Sequence, residues 1–129
     1  MIVGLGMDLV EIARVARMLA RHGDHMLERM FTLHERRYAH GRHEPARHLA
    51  GRIAAKEAAF KALAGNEQAR TIGWRDMEVD VRADGAPELH FHGAAAVRAR
   101  ELNVSRALVT ITHSEGMAAA VVVLERDLP

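Results

Sequence analysis

Residues 107–124 read ALVTITHSEGMAAAVVVL. Two runs rich in Val, Ile, Thr and Ala flank Ser114-Glu115-Gly116, which predicts two strands joined as an antiparallel hairpin. Upstream, Met77, Val79 and Val81 alternate with polar residues. Asp84-Gly85 marks a turn, and Leu89 and Phe91 alternate beyond it, so a second pair of strands is expected. A further strand near 2–9 opens the chain. Helical signals fill the gaps. Ile12, Val15 and Leu19 recur at helical spacing near 11–22. Asp24 is placed to cap a short helix near 25–30. Thr32 and Glu35 fit a T-x-x-E capping box for a helix near 33–42. Pro45 and Gly65 bracket an Ala-rich helix at the positions where Pro starts and Gly stops one. A last helix is expected near 94–102. The order β-α-α-α-β-β-α-β-β predicts an α+β fold, a mostly antiparallel sheet with helices packed on it, as one domain spanning 1–129.

Composition narrows the function. The 129 residues are 49% hydrophobic and contain no cysteine. Disulfides, thiolate metal sites and cysteine nucleophiles are therefore excluded. No apolar run is long enough to span a membrane, and the first residues carry an early Asp8 with no basic leader, which points to the cytoplasm. The net charge is +1, so whole-surface nucleic-acid binding is not expected. The charge is unevenly spread, however. Residues 14–52 hold nine Arg against four acids, and six of the nine His as well. Sixteen of the eighteen basic residues are Arg; the two lysines are Lys56 and Lys61.

Three segments can carry chemistry. In Gly4-Leu5-Gly6-Met7-Asp8 the glycines mark either close backbone approach or a bulge. Asp8 is correspondingly a cation ligand or the cap of the next helix. In Lys56-Glu57-Ala58-Ala59-Phe60-Lys61 the outer pair, Glu57 and Lys61, share a helix face. They form either an exposed ion pair or a metal-binding carboxylate one turn before a phosphate-binding ammonium. Arg52 lies about 140° around the same helix from Glu57. In Thr110-Ile111-Thr112-His113, the histidine ends a strand and is either an ordinary surface residue or a phosphate contact. Ser114 lies beside it, but no G-x-S-x-G elbow supports a serine hydrolase. Arg14, Arg17 and Arg21 follow one another along a helix face as a docking surface or a solvated stripe.

Taken together, IVGLGMDLVEIARV, FTLHERRYA, LAGRIAAKEAAFKALAG, DGAPELHFHG and VTITHSEGMAAAVVVL resemble the motifs of the holo-acyl-carrier-protein synthases, in that family's order and nearly end to end. These are short bacterial 4′-phosphopantetheinyl transferases. The resemblance implies transfer of 4′-phosphopantetheine from coenzyme A to a serine of apo-acyl carrier protein, with Mg²⁺, in fatty acid biosynthesis. It implies that Asp8, Glu57 and Lys61 are catalytic, with Asp8 and Glu57 as metal ligands. Arg52, Lys61 and His113 would bind the phosphates of coenzyme A, Arg52 the 3′-phosphate. Arg14, Arg17 and Arg21 would meet the acidic carrier protein, and the assembly would be a homotrimer with active sites between subunits. Glu35 matches an acidic position that would activate the serine, unless its capping box explains it. Met7, Ala86, Thr110 and Thr112 depart from the family's usual residues, and Ala86 removes a basic side chain from the 85–87 turn. The rival reading is a noncatalytic nucleotide- or nucleic-acid-binding module built on the basic segment 14–52.

Overall fold

The structure, a computed structural model, describes residues 1–129. Strand β1 (Ile2–Glu11) pairs antiparallel with β5 (Met117–Glu125). β5 pairs antiparallel with β4 (Arg106–His113), giving the order β1-β5-β4. β2 (Met77–Val81) and β3 (Pro87–Phe91) form a separate antiparallel pair. The helices are α1 (Ile12–Met30), α2 (Leu33–Ala39), α3 (Pro45–Leu63) and α4 (Gly93–Glu101). The α+β class holds, with the strands split into two sheets, and the element order is the one expected once the segment near 25–30 is counted with the helix before it. Two 3₁₀ turns, Gln68–Thr71 and Trp74–Asp76, were not foreseen. Segments so short show no hydrophobic period. No helix is long and apolar enough to cross a membrane.

Helix α3 is the centre of the molecule. Pro45 opens it, and Leu49, Ala50, Ile53, Ala54, Ala58, Ala59, Ala62 and Leu63 are all buried. A helix apolar on most of its circumference belongs inside. Its alanines let it lie close against the sheet, and β1 answers with glycine. A Cβ on Gly6 would stand 1.8 Å from the Ala58 carbonyl oxygen, and one on Gly4 would stand 2.3 Å from that of Ala62. The glycine pair therefore seats the α3 backbone directly on β1. A register irregularity between Ile2 and Gly4 accompanies it. Asp8 is not a helix cap. Glu11 precedes α1, and it makes no side-chain capping bond.

The separate helix expected near 25–30 is instead the second half of α1, which bends at Gly23 (φ 47°, ψ −122°). Only glycine adopts that conformation without strain. The Thr32–Glu35 capping box is present in both halves. Glu35 then does more than cap. Its Oε1 accepts from Thr32 N at 2.9 Å and from Lys56 Nζ at 2.8 Å, and its Oε2 accepts from Val79 N at 2.9 Å. Lys56 Nζ also donates to the Trp74 carbonyl at 3.0 Å and to that of Met77. Both side chains are 0% exposed. This knot joins α2, α3 and β2, and every proton of the ammonium is used. Activation of a substrate serine by Glu35 is ruled out, because no substrate atom reaches a carboxylate so enclosed.

The outer face of the large sheet is apolar and open. Leu5, Val123 and Leu108 form one row across it, and Met7, Val121 and Thr110 form the next. Leu5, Met7, Leu9 and Leu108 are all exposed there. Thr110 and Thr112 face the same way, on the side of β4 opposite the inward Ile111.

Candidate active site

Strand alternation puts Gly4, Gly6 and Asp8 on the face of β1 that meets α3. The glycines bring the helix in, and Glu57 and Lys61, one turn apart, arrive over Asp8. Lys61 Nζ donates to Asp8 Oδ1 at 3.0 Å and to the Met7 carbonyl at 3.0 Å. The ion pair expected within the helix between Glu57 and Lys61 is replaced by this one across to the sheet. The Asp8 and Glu57 carboxyl groups lie close enough to share a hydrogen bond.

Two carboxylates this close cannot both ionise freely. Burial, then the hydrogen bond and the charge of Asp8, push the Glu57 carboxyl up to about 7. Burial would raise Asp8 too, but hydrogen bonds from Glu57 and Lys61 outweigh it and hold Asp8 below the usual aspartate range. Apart from the neighbouring Glu57 carboxyl, nothing in the chain offers the buried Asp8 Oδ2 a hydrogen bond. A buried oxygen without a further partner and a second carboxylate beside it suit a hard divalent cation. No group of three or more His, Asp or Glu side chains converges on a metal site anywhere in the chain. The protein offers two carboxylate ligands, as Mg²⁺ sites completed by water and substrate phosphate do.

Arg14, in the first turn of α1, is exposed, and its charge works against the rise in the Glu57 pKa. It is thus near enough to the carboxylate pair for its charge to act on Glu57. Arg17 and Arg21 are also exposed, and Arg17 is held by Glu11 at 3.3 Å.

His113 and Arg52 lie nearer the start of α3. The His113 Nε2 is 3.2 Å from the Arg47 carbonyl oxygen. A Cβ on Gly51 would come within 2.8 Å of the same nitrogen, so the mid-helix glycine makes room for the imidazole. Gly51 precedes Glu57 by about 9 Å of helix, at 1.5 Å per residue. His113 and the carboxylate pair thus mark two ends of one elongated region. Arg52 is not beside Glu57. It is 6% exposed, and its guanidinium lies 4.3 Å from the centre of the Tyr38 ring. Sequence reasoning did not find Tyr38 or Arg42, which meets the same ring. It singled out Lys61 over Lys56 but gave Lys56 no role. The one available signal was angular: Lys56 points about 100° away from Glu57.

The chain matches the family model described as the 4′-phosphopantetheinyl transferase superfamily over residues 4–122. It is 46% identical over 132 residues to the holo-[acyl-carrier-protein] synthase of Anaeromyxobacter sp. (strain K), with all of both chains covered. It is 47% identical to that of Nitratidesulfovibrio vulgaris (strain DP4), covering 97% of this chain and 99% of the other. The crystal structure of the Neisseria meningitidis synthase superposes with a TM-score of 0.86 at 29% identity, covering 98% and 100%. That of the Bacillus anthracis str. Ames synthase, in complex with CoA (3′,5′-ADP), superposes with a TM-score of 0.80 at 33% identity, covering 98% and 99%. Full-length agreement in sequence and in fold places this chain among the holo-[acyl-carrier-protein] synthases of the 4′-phosphopantetheinyl transferase superfamily.

Proposed function

We propose that the chain transfers the 4′-phosphopantetheine arm of coenzyme A to a serine hydroxyl of apo-acyl carrier protein, in the cytoplasm, as a step of fatty acid biosynthesis. The observation that carries this reading is the Asp8–Glu57 pair with its unpartnered buried oxygen and Lys61 above it. Coenzyme A complexes of similar structures support the choice of donor. The serine oxygen bonds to the β-phosphorus, and the bond from that phosphorus to the bridging oxygen breaks. Adenosine 3′,5′-bisphosphate leaves with the electron pair, and the serine proton passes to solvent.

Asp8 and Glu57 are the residues that would hold Mg²⁺, which would neutralise pyrophosphate charge as the bridge breaks. Lys61 places a mobile ammonium at the same spot, held until then by Asp8. His113, at the far end of the region, is positioned for a nucleotide phosphate. None of these side chains forms a covalent intermediate in this reading. Positioning and charge compensation supply the catalysis. Mass spectrometry of apo-acyl carrier protein after incubation with the chain, coenzyme A and Mg²⁺ tests the reading. The carrier gains one phosphopantetheine; an unmodified carrier overturns it.

Carrier docking is assigned to the exposed face of α1. Arg14, nearest the carboxylates, carries most of it, with Arg17 and Arg21 beyond. Arg14→Glu is expected to raise the KM for the carrier about tenfold and to leave that for coenzyme A little changed, because rim charges act on association. Equal effects on both substrates count against the docking face.

The open rows of β1, β5 and β4 are the surface through which we propose that three copies assemble. Exposed apolar faces of this extent mark association sites. β1 presents Leu5, Met7 and Leu9 on that face and Asp8 on the other. Light scattering should give three times the 14.3 kDa protomer mass, and Leu5→Asp should reduce it to the protomer. A wild-type protomer mass at micromolar concentration overturns this assignment.

A further inference from the structure

The corner between α2 and α3 gathers basic groups around a single aromatic ring. Tyr38 lies in the last turn of α2. The Arg42 guanidinium is 4.0 Å from its ring centre and that of Arg52 is 4.3 Å away. His48 meets the ring edge-on at 6.3 Å. Arg47 and His113 lie in the same corner. Burial first, then the charges of Arg52, Arg42, His113 and Arg47, hold the His48 imidazole below the usual histidine range.

This charge meets only neutral carbonyls: Arg42 donates to that of Tyr38 at 3.2 Å, Arg47 to that of Ser114 at 3.1 Å and Arg52 to that of His48 at 3.5 Å. Arg42, Arg47 and Arg52 take part in none of the chain's ion pairs. Arg52 is more than nine-tenths buried, and its Nε has no acceptor. The one carboxylate whose charge reaches it is Glu35, and both Glu35 oxygens are already taken by Lys56, Thr32 and Val79. A buried guanidinium left this way is costly unless an anion completes it.

The ring explains how two guanidiniums are held together beforehand. A carboxylate between them would fix them but cancel their charge. The negative face of an aromatic ring attracts each guanidinium and carries no net charge. Both cations then stay in place with their charge still available. Arg52 was assigned to the 3′-phosphate of coenzyme A by resemblance; the ring and Arg42 were not.

We propose that Tyr38 is a positioning residue whose ring holds Arg42 and Arg52 for a phosphate dianion, and that it thereby sets the preference for coenzyme A over its 3′-dephospho form. This rests on reading the site as a coenzyme A site. The placement suits it, because the corner lies toward the end of the region that is farther from Asp8 and Glu57. A nucleotide with a 3′-phosphate and a pyrophosphate needs two such separated sites.

The experiment compares wild type, Tyr38→Leu, Tyr38→Phe and Arg42→Gln. Transfer is measured with coenzyme A and with 3′-dephospho-coenzyme A, and calorimetry measures binding of adenosine 3′,5′-bisphosphate and AMP. Tyr38→Leu should raise the KM for coenzyme A about tenfold, leave that for the dephospho form unchanged, and weaken only the bisphosphate among the two nucleotides. Tyr38→Phe keeps the ring face and loses only the hydroxyl, which also helps hold the Arg52 charge, and should keep most of the wild-type selectivity. Arg42→Gln, at an exposed side chain, should repeat the selective loss and decides the matter if Tyr38→Leu does not fold. Equal losses on both donors, or no loss on either, overturn the proposal. A wild type that modifies no carrier overturns the transferase reading instead, and the nucleotide titrations still judge Tyr38.

Discussion

Replacing Asp8 by Asn or Glu57 by Gln is expected to cut phosphopantetheine transfer on the order of 10³-fold at saturating Mg²⁺, with the fold retained and, for Glu57→Gln, the melting temperature as well. The size follows from what phosphoryl transfer requires. The protein does little covalent work there, so rate depends on charge placed against the phosphates. The two carboxylates are the only pair in the chain that face one another over a buried, unpartnered oxygen. The retained stability follows from the same pair. Glu57 is pushed up to about 7 because burial and Asp8 disfavour its charge, so an uncharged amide at that position relieves repulsion. Sites of this kind trade stability for function. Carrier mass shift under single-turnover conditions reads the first quantity and thermal unfolding the second. Near-normal turnover of either variant, with the metal saturating, removes the assignment of the pair as metal ligands.

The two lysines are expected to separate in the opposite sense. Lys56→Met leaves the Glu35 carboxylate buried without its counter-charge, and losing one partner of a buried pair costs about 3–5 kcal/mol. In a domain whose whole stability is about 5–15 kcal/mol, the melting temperature should drop by more than about 10 °C. Lys61→Met removes a side chain that is 57% exposed and bound to Asp8 at 3.0 Å. An exposed pair contributes about 0–1 kcal/mol, so stability should hold while transfer falls. Thermal unfolding of both variants beside the transfer assay tests this. A Lys56→Met protein as stable as wild type would mean that the knot between α2, α3 and β2 does not hold the fold together.

Much of the architecture was legible in local pattern. The hairpin at the C-terminus, the Thr32–Glu35 capping box, and the Pro45 and Gly65 bounds of α3 all depend on interactions within a few residues, and they read directly. The kink at Gly23 was half-legible. The pattern broke there, but whether two helices or one bent helix resulted depends on what α1 packs against. The 3₁₀ turns left no period to read.

The site divides in the same way. The sequence by itself determined which residues have the right chemistry: Asp8 after two glycines, Glu57 and Lys61 one turn apart, and an arginine stripe on α1. Family resemblance then assigned roles to them. Only the tertiary structure decided how those residues are placed. It showed that Gly4 and Gly6 make room for α3 and that Asp8 caps nothing. It turned Lys61 toward Asp8, enclosed Lys56 and Glu35, and set Arg52 against Tyr38. Of the two lysines kept in a chain of sixteen arginines, one is enclosed with Glu35 and the other is largely exposed and paired with Asp8. The physical reason is range. Caps and periods are set by neighbours in sequence. Burial and charge pairing here join residues as far apart as Asp8 and Lys61, and only the packing of α3 on β1 brings them within reach.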